Sequence, residues 1–100
     1  MKRLEGSIQR AVIGWAKAHG IRCDKLSSGS RFQTSGLPDY VIWMPGGRPL
    51  LIEFKGESGK TTTLQDATHS QLIKLGYDVH VINNVDEGKR LIKDRYEKSV

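Results

Sequence analysis

The chain has 100 residues, of which 37% are hydrophobic and 27% charged, and its 16 Lys and Arg against 11 Asp and Glu leave a formal net charge of +5. That composition excludes a disordered chain and suits one globular domain over residues 1–100, whose basic excess favours a polyanionic partner, nucleic acid before an anionic membrane surface. The lone cysteine, Cys23, excludes an internal disulfide and a Cys-rich zinc site, and no apolar run reaches signal-peptide or membrane-spanning length, so a cytoplasmic protein with no membrane partner is expected.

In chain order, Leu4, Ile8, Ala11, Val12 and Trp15 recur at helical spacing, and His19-Gly20 supplies a C-terminal cap. Residues 21–26 read as a first strand. Residues 27–36, polar and carrying Arg31 and Phe32, read as a loop. Residues 39–43 and 50–55 read as two antiparallel strands around Pro45-Gly46-Gly47. A second polar loop, 56–62, leads into a helix over about 63–75 that Gly76 closes, with Thr63 and Asp66 as its capping box. Residues 79–82 form a last strand. Asn84 with Glu87 then caps a basic final helix, with Leu91, Ile92 and Tyr96 facing inward. The order is α-β-β-β-α-β-α, an α/β arrangement with no internal repeat or linker.

The residues able to do chemistry gather near the middle strands. Side chains alternate along a strand, so Glu53 and Lys55 share one face while Phe54 takes the other. Whether Asp39 joins them depends on the hairpin. A two-residue Gly46-Gly47 turn would set Asp39 opposite Phe54, whereas a three-residue Pro45-Gly46-Gly47 loop with Gly47 left-handed sets it opposite Glu53. The odd-length loop is expected, because Pro45 suits the first turn position. Two carboxylates and an ammonium make poor core material but a fitting site for a hard divalent cation, which points to phosphodiester chemistry.

Other residues read two ways. Glu5, at the margin of the first helix's apolar stripe, is a carboxylate favoured by the helix dipole or a third acid reaching toward the cation. Gln65 is a surface glutamine or an orienting group for water or for an active-site side chain. His69 follows it by one helical turn and is structural or lines the cleft. Gly59-Lys60-Thr61 imitates the end of a phosphate-binding loop, but that pattern needs a glycine where Phe54 stands, so no nucleotide cofactor is expected. No serine or cysteine has a base and an orienting group in sequence to support covalent catalysis.

As an ordered set, Leu4-Glu5, Pro38-Asp39, Glu53-Phe54-Lys55, Leu64-Gln65 and the closing Gly76-Tyr77 with Val79-His80-Val81 resemble the PD-(D/E)XK nucleases. Among these the likeness is to the stand-alone, virus-type replication-repair nuclease domain, VRR-NUC, and it runs from about residue 4 to residue 92. One departure is the absence of the usual proline before the glutamine, where Thr61-Thr62-Thr63 stands. The resemblance implies a restriction-endonuclease-like core, a mixed sheet flanked by helices, and a Mg²⁺- or Mn²⁺-dependent DNA endonuclease. It implies Asp39 and Glu53 as principal metal ligands, the Phe54 carbonyl as a further one and Glu5 assisting. Lys55 would position water or stabilise charge at the phosphorus, with Gln65 beside it. A homodimer that resolves four-way (Holliday) junctions is also implied, since two symmetric nicks need two sites about a two-fold axis. Lys25, Arg31 and Lys60 are candidates for phosphate contact. The alternatives are a less selective or restriction-like nuclease and a non-catalytic nucleic-acid-binding module. Acids that repel phosphate count against the last.

Overall fold

Apolar spacing resolves into three helices and four strands in a computed structural model that describes residues 2–26 and 36–99. In chain order they are α1 (Glu5–Ala18), β1 (Cys23–Lys25), β2 (Tyr40–Met44), β3 (Arg48–Phe54), α2 (Thr63–Lys74), β4 (Asp78–Ile82) and α3 (Val85–Ser99). The order matches the expectation from sequence, with strand ends displaced by at most two residues. Arg31 and Phe32 lie outside the described residues.

In α1, Ile8, Val12 and Ala16 follow one another at four-residue steps and are fully buried, with Ile13 beside them. Leu4, expected on that stripe, is instead the residue that caps the helix start, and it is 76% exposed. His19 ends the helix and Gly20 takes the left-handed conformation, φ 76°, that stops it.

The sheet runs β1-β2-β3-β4, antiparallel through the first three strands and parallel between β3 and β4. Met44 pairs with Arg48, which leaves Pro45-Gly46-Gly47 as a three-residue loop with both glycines at positive φ. At the other end of the hairpin Tyr40 pairs with Ile52, so one further step sets Asp39 beside Glu53. The expected register is the one observed.

The two sheet faces have different occupants. Ile42, Met44, Leu50, Ile52, Phe54 and Ile82 form one apolar layer with Ile8, Val12 and Ala16 of α1 and Ile92 of α3. The Tyr40 and Phe54 rings meet there nearly at right angles, centroids 6.1 Å apart. The odd-numbered side chains of the hairpin point the other way, where Val41, Leu51 and Glu53 are buried. Strand alternation therefore separates Phe54 from Glu53, as the sequence predicts.

The start of α2 differs from expectation. The N-cap is Thr62, not Thr63, and the capping box closes with Gln65, not Asp66. The Thr62 hydroxyl accepts the Gln65 N–H at 3.1 Å, and the Gln65 amide oxygen reaches back to the Thr62 N–H at 2.9 Å. Gln65 wins the third helical position because its longer side chain can close that reciprocal pair. Within α2 only His69 is buried.

On α3, Asn84 accepts the Glu87 N–H at 3.0 Å, the expected cap. Ile92 is fully buried and Leu91 packs against the core, but Tyr96 is 38% exposed. The inward stripe therefore ends one turn earlier than expected, and the phenol at the helix end stays in water. Arg95 ties the helix to β4 through Asp78, Nε to Oδ2 at 2.7 Å. Among the described residues no helix is long and apolar enough to cross a membrane.

Gly88 sets how closely α3 approaches. A Cβ there would lie 2.9 Å from Val12 Cγ2 and 3.1 Å from Ile82 Cγ2. In an exposed helix, Gly→Ala gains up to ~1 kcal/mol. Here Gly88→Ala is expected to lose about 1–3 kcal/mol by overpacking, read as a lower urea midpoint with unchanged slope.

Candidate active site

Pro38 has no N–H to offer the ladder, and β2 begins only at Tyr40. The Asp39 side chain takes over at that point. Its Oδ2 accepts the Phe54 N–H at 2.8 Å, while its own backbone carbonyl accepts the Leu26 N–H at 2.8 Å. Asp39 is thus held from both sides, by the end of β3 and by the chain leaving β1. The lead-in is equally constrained. Gly36 has φ 88°, and a Cβ there would fall 2.6 Å from Thr68 Oγ1 and 2.8 Å from the Leu64 carbonyl oxygen. Only glycine lets the chain pass so close beneath α2 on its way to Asp39.

Glu53 is 2% exposed. Its Oε2 accepts a hydrogen bond from the Gln65 amide at 3.1 Å and has Lys55 Nζ at 3.6 Å. Its other oxygen, Oε1, is enclosed and meets no hydrogen-bond donor. The neighbouring Asp39 carboxylate is a fellow acceptor when both groups are ionised, so the two acids can pair only by sharing a proton. Burial, and after it the charge of Asp39, push the Glu53 carboxyl up to about 7, against the opposing pull of Lys55. The pair holds a proton more readily than an isolated acid and offers two anionic oxygen donors to a cation.

The site therefore unites Asp39, Glu53, Lys55 and Gln65. The Phe54 side chain is buried on the opposite face, and its backbone is fixed at the site by the bond to Asp39. The first turn of α1 abuts the chain just beyond Lys55: the Arg3 carbonyl accepts the Glu57 N–H at 3.1 Å, and a Cβ on Gly56 would lie 3.3 Å from the Glu5 nitrogen. The Glu5 side chain itself is exposed, and among the described residues no three Asp, Glu, His or Cys side chains converge on one point. Lys25 is exposed on β1, paired with Tyr40 next to Asp39, and Lys60 is exposed on the loop after Lys55. Arg31 lies outside the described residues.

Shape alone would not have located these residues. A concavity of about 1090 Å³ lies at the hairpin end, lined by Pro45, Arg48, Tyr77 and Arg95 among others. It sits at the start of β3, whereas Glu53 is near the other end of that seven-residue strand, ~17 Å away at ordinary strand rise. Thr62 and Gly36 were not singled out from sequence. A threonine three residues before Gln65 was the available signal for the first; for the second there was none, since a close approach between distant segments has no local pattern.

Comparison with known proteins bears on the family and the fold. A sequence model of the VRR-NUC domain family matches residues 5–86. The protein named "Putative nuclease p44" from Acyrthosiphon pisum secondary endosymbiont phage 1 is 31% identical over 83 residues, covering 82% of this chain and 85% of its own. A solved structure titled "VRR_NUC domain" superposes with a TM-score of 0.75 at 30% identity, over 92% of this chain and 97% of its own.

The displaced Glu53 titration has a definite sign. Its carboxyl is raised from an ordinary 4.5 to about 7 in the folded protein. The protonated group therefore favours folding, an advantage complete below about 4.5 and lost as the pH climbs through about 7. In EDTA, denaturant-derived stability is expected to fall across that window. Glu53→Gln should remove the fall; an identical pH profile in the variant would assign the titration elsewhere.

Proposed function

Because the chain belongs to the VRR-NUC family, and so is a nuclease domain, we propose that it is a Mg²⁺- or Mn²⁺-dependent endonuclease that hydrolyses phosphodiester bonds in branched DNA, acting as a homodimer on four-way junctions. The observation that carries the cation is the orphaned, enclosed Oε1 of Glu53 beside the Asp39 carboxylate. Two adjacent carboxylates with an unsatisfied oxygen and a raised proton affinity are what a hard dication would relieve. Asp39 and Glu53 would hold it, with the Phe54 carbonyl and Glu5 as supplementary oxygen donors. When bound, such an ion polarises a phosphate oxygen and makes a coordinated water more acidic.

The chain's own residues supply the rest. Gln65 donates to Glu53 Oε2, which orients the carboxylate and would leave Oε1 for the cation. The Asp39 carboxylate cannot swing, because Phe54 N–H holds it. Lys55 brings a positive charge to the same face, next to Glu53, where it can steady negative charge growing on the phosphate. Lys25 and Lys60 flank the acids as solvent-exposed cations suited to DNA phosphates, and Arg31 is a third candidate. So small a surface reads backbone and shape more than base edges, which favours a structure-selective enzyme.

Cleavage of a labelled four-way junction, linear duplex, single strands and a flap, each with Mg²⁺, Mn²⁺ or EDTA, tests this reading. Paired, metal-dependent nicks in the junction are expected. Cleavage of every substrate would leave a nuclease without junction selectivity, and tight binding with no cleavage would leave a binding module. Asp39→Ala or Glu53→Ala should reduce cleavage by at least ~10³-fold while DNA binding holds or strengthens. Lys55→Ala should cost roughly 10²–10³-fold in rate with little change in affinity. A parallel loss of both would make Lys55 a phosphate anchor only.

A further inference from the structure

Two side chains of α2, one turn apart, belong to the same face. Residues four apart on a helix are neighbours, so His69 stands beside Gln65. Gln65 is accounted for by Glu53. His69 is not: it is 6% exposed, the one buried residue of its helix, and its Nε2 is enclosed without a hydrogen bond. Packing does not explain the choice, because leucine or phenylalanine would fill the position without stranding a polar atom.

Its surroundings are those of the site. Gly36, three residues before Asp39, lies against Leu64 and Thr68 of α2, and Thr68 directly precedes His69. Burial holds the imidazole pKa below the ordinary histidine value, favouring the neutral ring; Asp66 and Asp39 oppose that shift and Lys55 adds to it. Among the described residues, two enclosed side-chain polar atoms lack a partner: Glu53 Oε1 and His69 Nε2. The carboxylate of the first meets α2 through Gln65, and the second belongs to the residue one turn further along that helix. A hydrated dication would satisfy both kinds of atom, the carboxylate oxygen directly and the imidazole through a coordinated water. Mg²⁺ in particular keeps several waters when bound by few carboxylates.

We propose that His69 is a positioning residue for the cation, its Nε2 accepting a hydrogen bond from a water of the ion's hydration shell. The inference rests on the cation-dependent reading above and adds to it a residue from α2. Partners of this kind typically change metal affinity 10–100-fold.

Mn²⁺ binding to the DNA-free protein, by calorimetry and by electron paramagnetic resonance, tests it alongside thermal melting in EDTA. The variants are His69→Phe, with His69→Leu as a second apolar replacement, His69→Gln and Asp39→Asn. The apolar variants should bind Mn²⁺ at least ~10-fold more weakly yet melt in EDTA no lower than wild type, because a stranded buried nitrogen has gone. His69→Gln, which restores a polar atom at similar reach, should bind near the wild-type level. Wild-type affinity in the apolar variants, or an equal loss in His69→Gln, would overturn the role of His69 and leave the cation site standing. Failure of wild type to bind Mn²⁺, or binding indifferent to Asp39→Asn, would remove the cation-dependent reading and His69 with it.

Discussion

Where the β2–β3 ladder runs out, the Asp39 carboxylate takes the Phe54 N–H at 2.8 Å in place of a backbone carbonyl. That substitution of a side chain for main chain fixes three things together. It holds Asp39 within the field of Glu53, it anchors the backbone between Glu53 and Lys55, and it ends the hairpin with an acid rather than another apolar pair. Pro38 prepares for it by withholding a donor, and Gly36 by letting the chain approach α2 closely. The remainder of the fold serves this corner. The three-residue loop at the far end of the hairpin sets the register, and the apolar layer of α1, α3 and the even-numbered strand residues keeps β3 rigid.

Burying Glu53 here works against folding. A carboxylate enclosed beside another carboxylate is destabilised in its charged form, and Lys55 and Gln65 offset only part of that. The proton affinity that results is a measure of unspent attraction for positive charge. The same logic extends to His69, whose enclosed nitrogen is another unsatisfied group on the same flank. Neither would survive in a core selected for stability alone, where polar atoms are paired or replaced by apolar ones.

Much of this was readable from the chain because the governing signals are local. Strand alternation puts Glu53 and Lys55 on one face, and Pro45-Gly46-Gly47 favours the odd loop that aligns Asp39, so the acid pair follows from spacing. The ordered likeness to VRR-NUC rests on those same residues. What escaped was decided by competition or by contacts between distant segments. Thr62–Gln65 and Thr63–Asp66 both fit a capping pattern, and side-chain reach chose the first. Tyr96 continues a helical stripe on paper but ends in solvent. The depth of Glu53, and with it the proton affinity of the pair, depends on α2 lying over the sheet, which no short motif encodes.

Among its own twelve residues α2 buries only His69, while Leu64, Ile73 and Leu75 just beyond it remain more than half exposed. A helix that contributes so little apolar area sits at the low end of the range of local unfolding energies. Its local opening is expected to cost less than unfolding α1, α3 and the sheet. Its departure would carry off the Gln65 amide and open Glu53 to water. Hydration would then let the two acids behave as ordinary surface carboxylates, so the unusual chemistry of this corner lasts only as long as one lightly anchored helix stays closed.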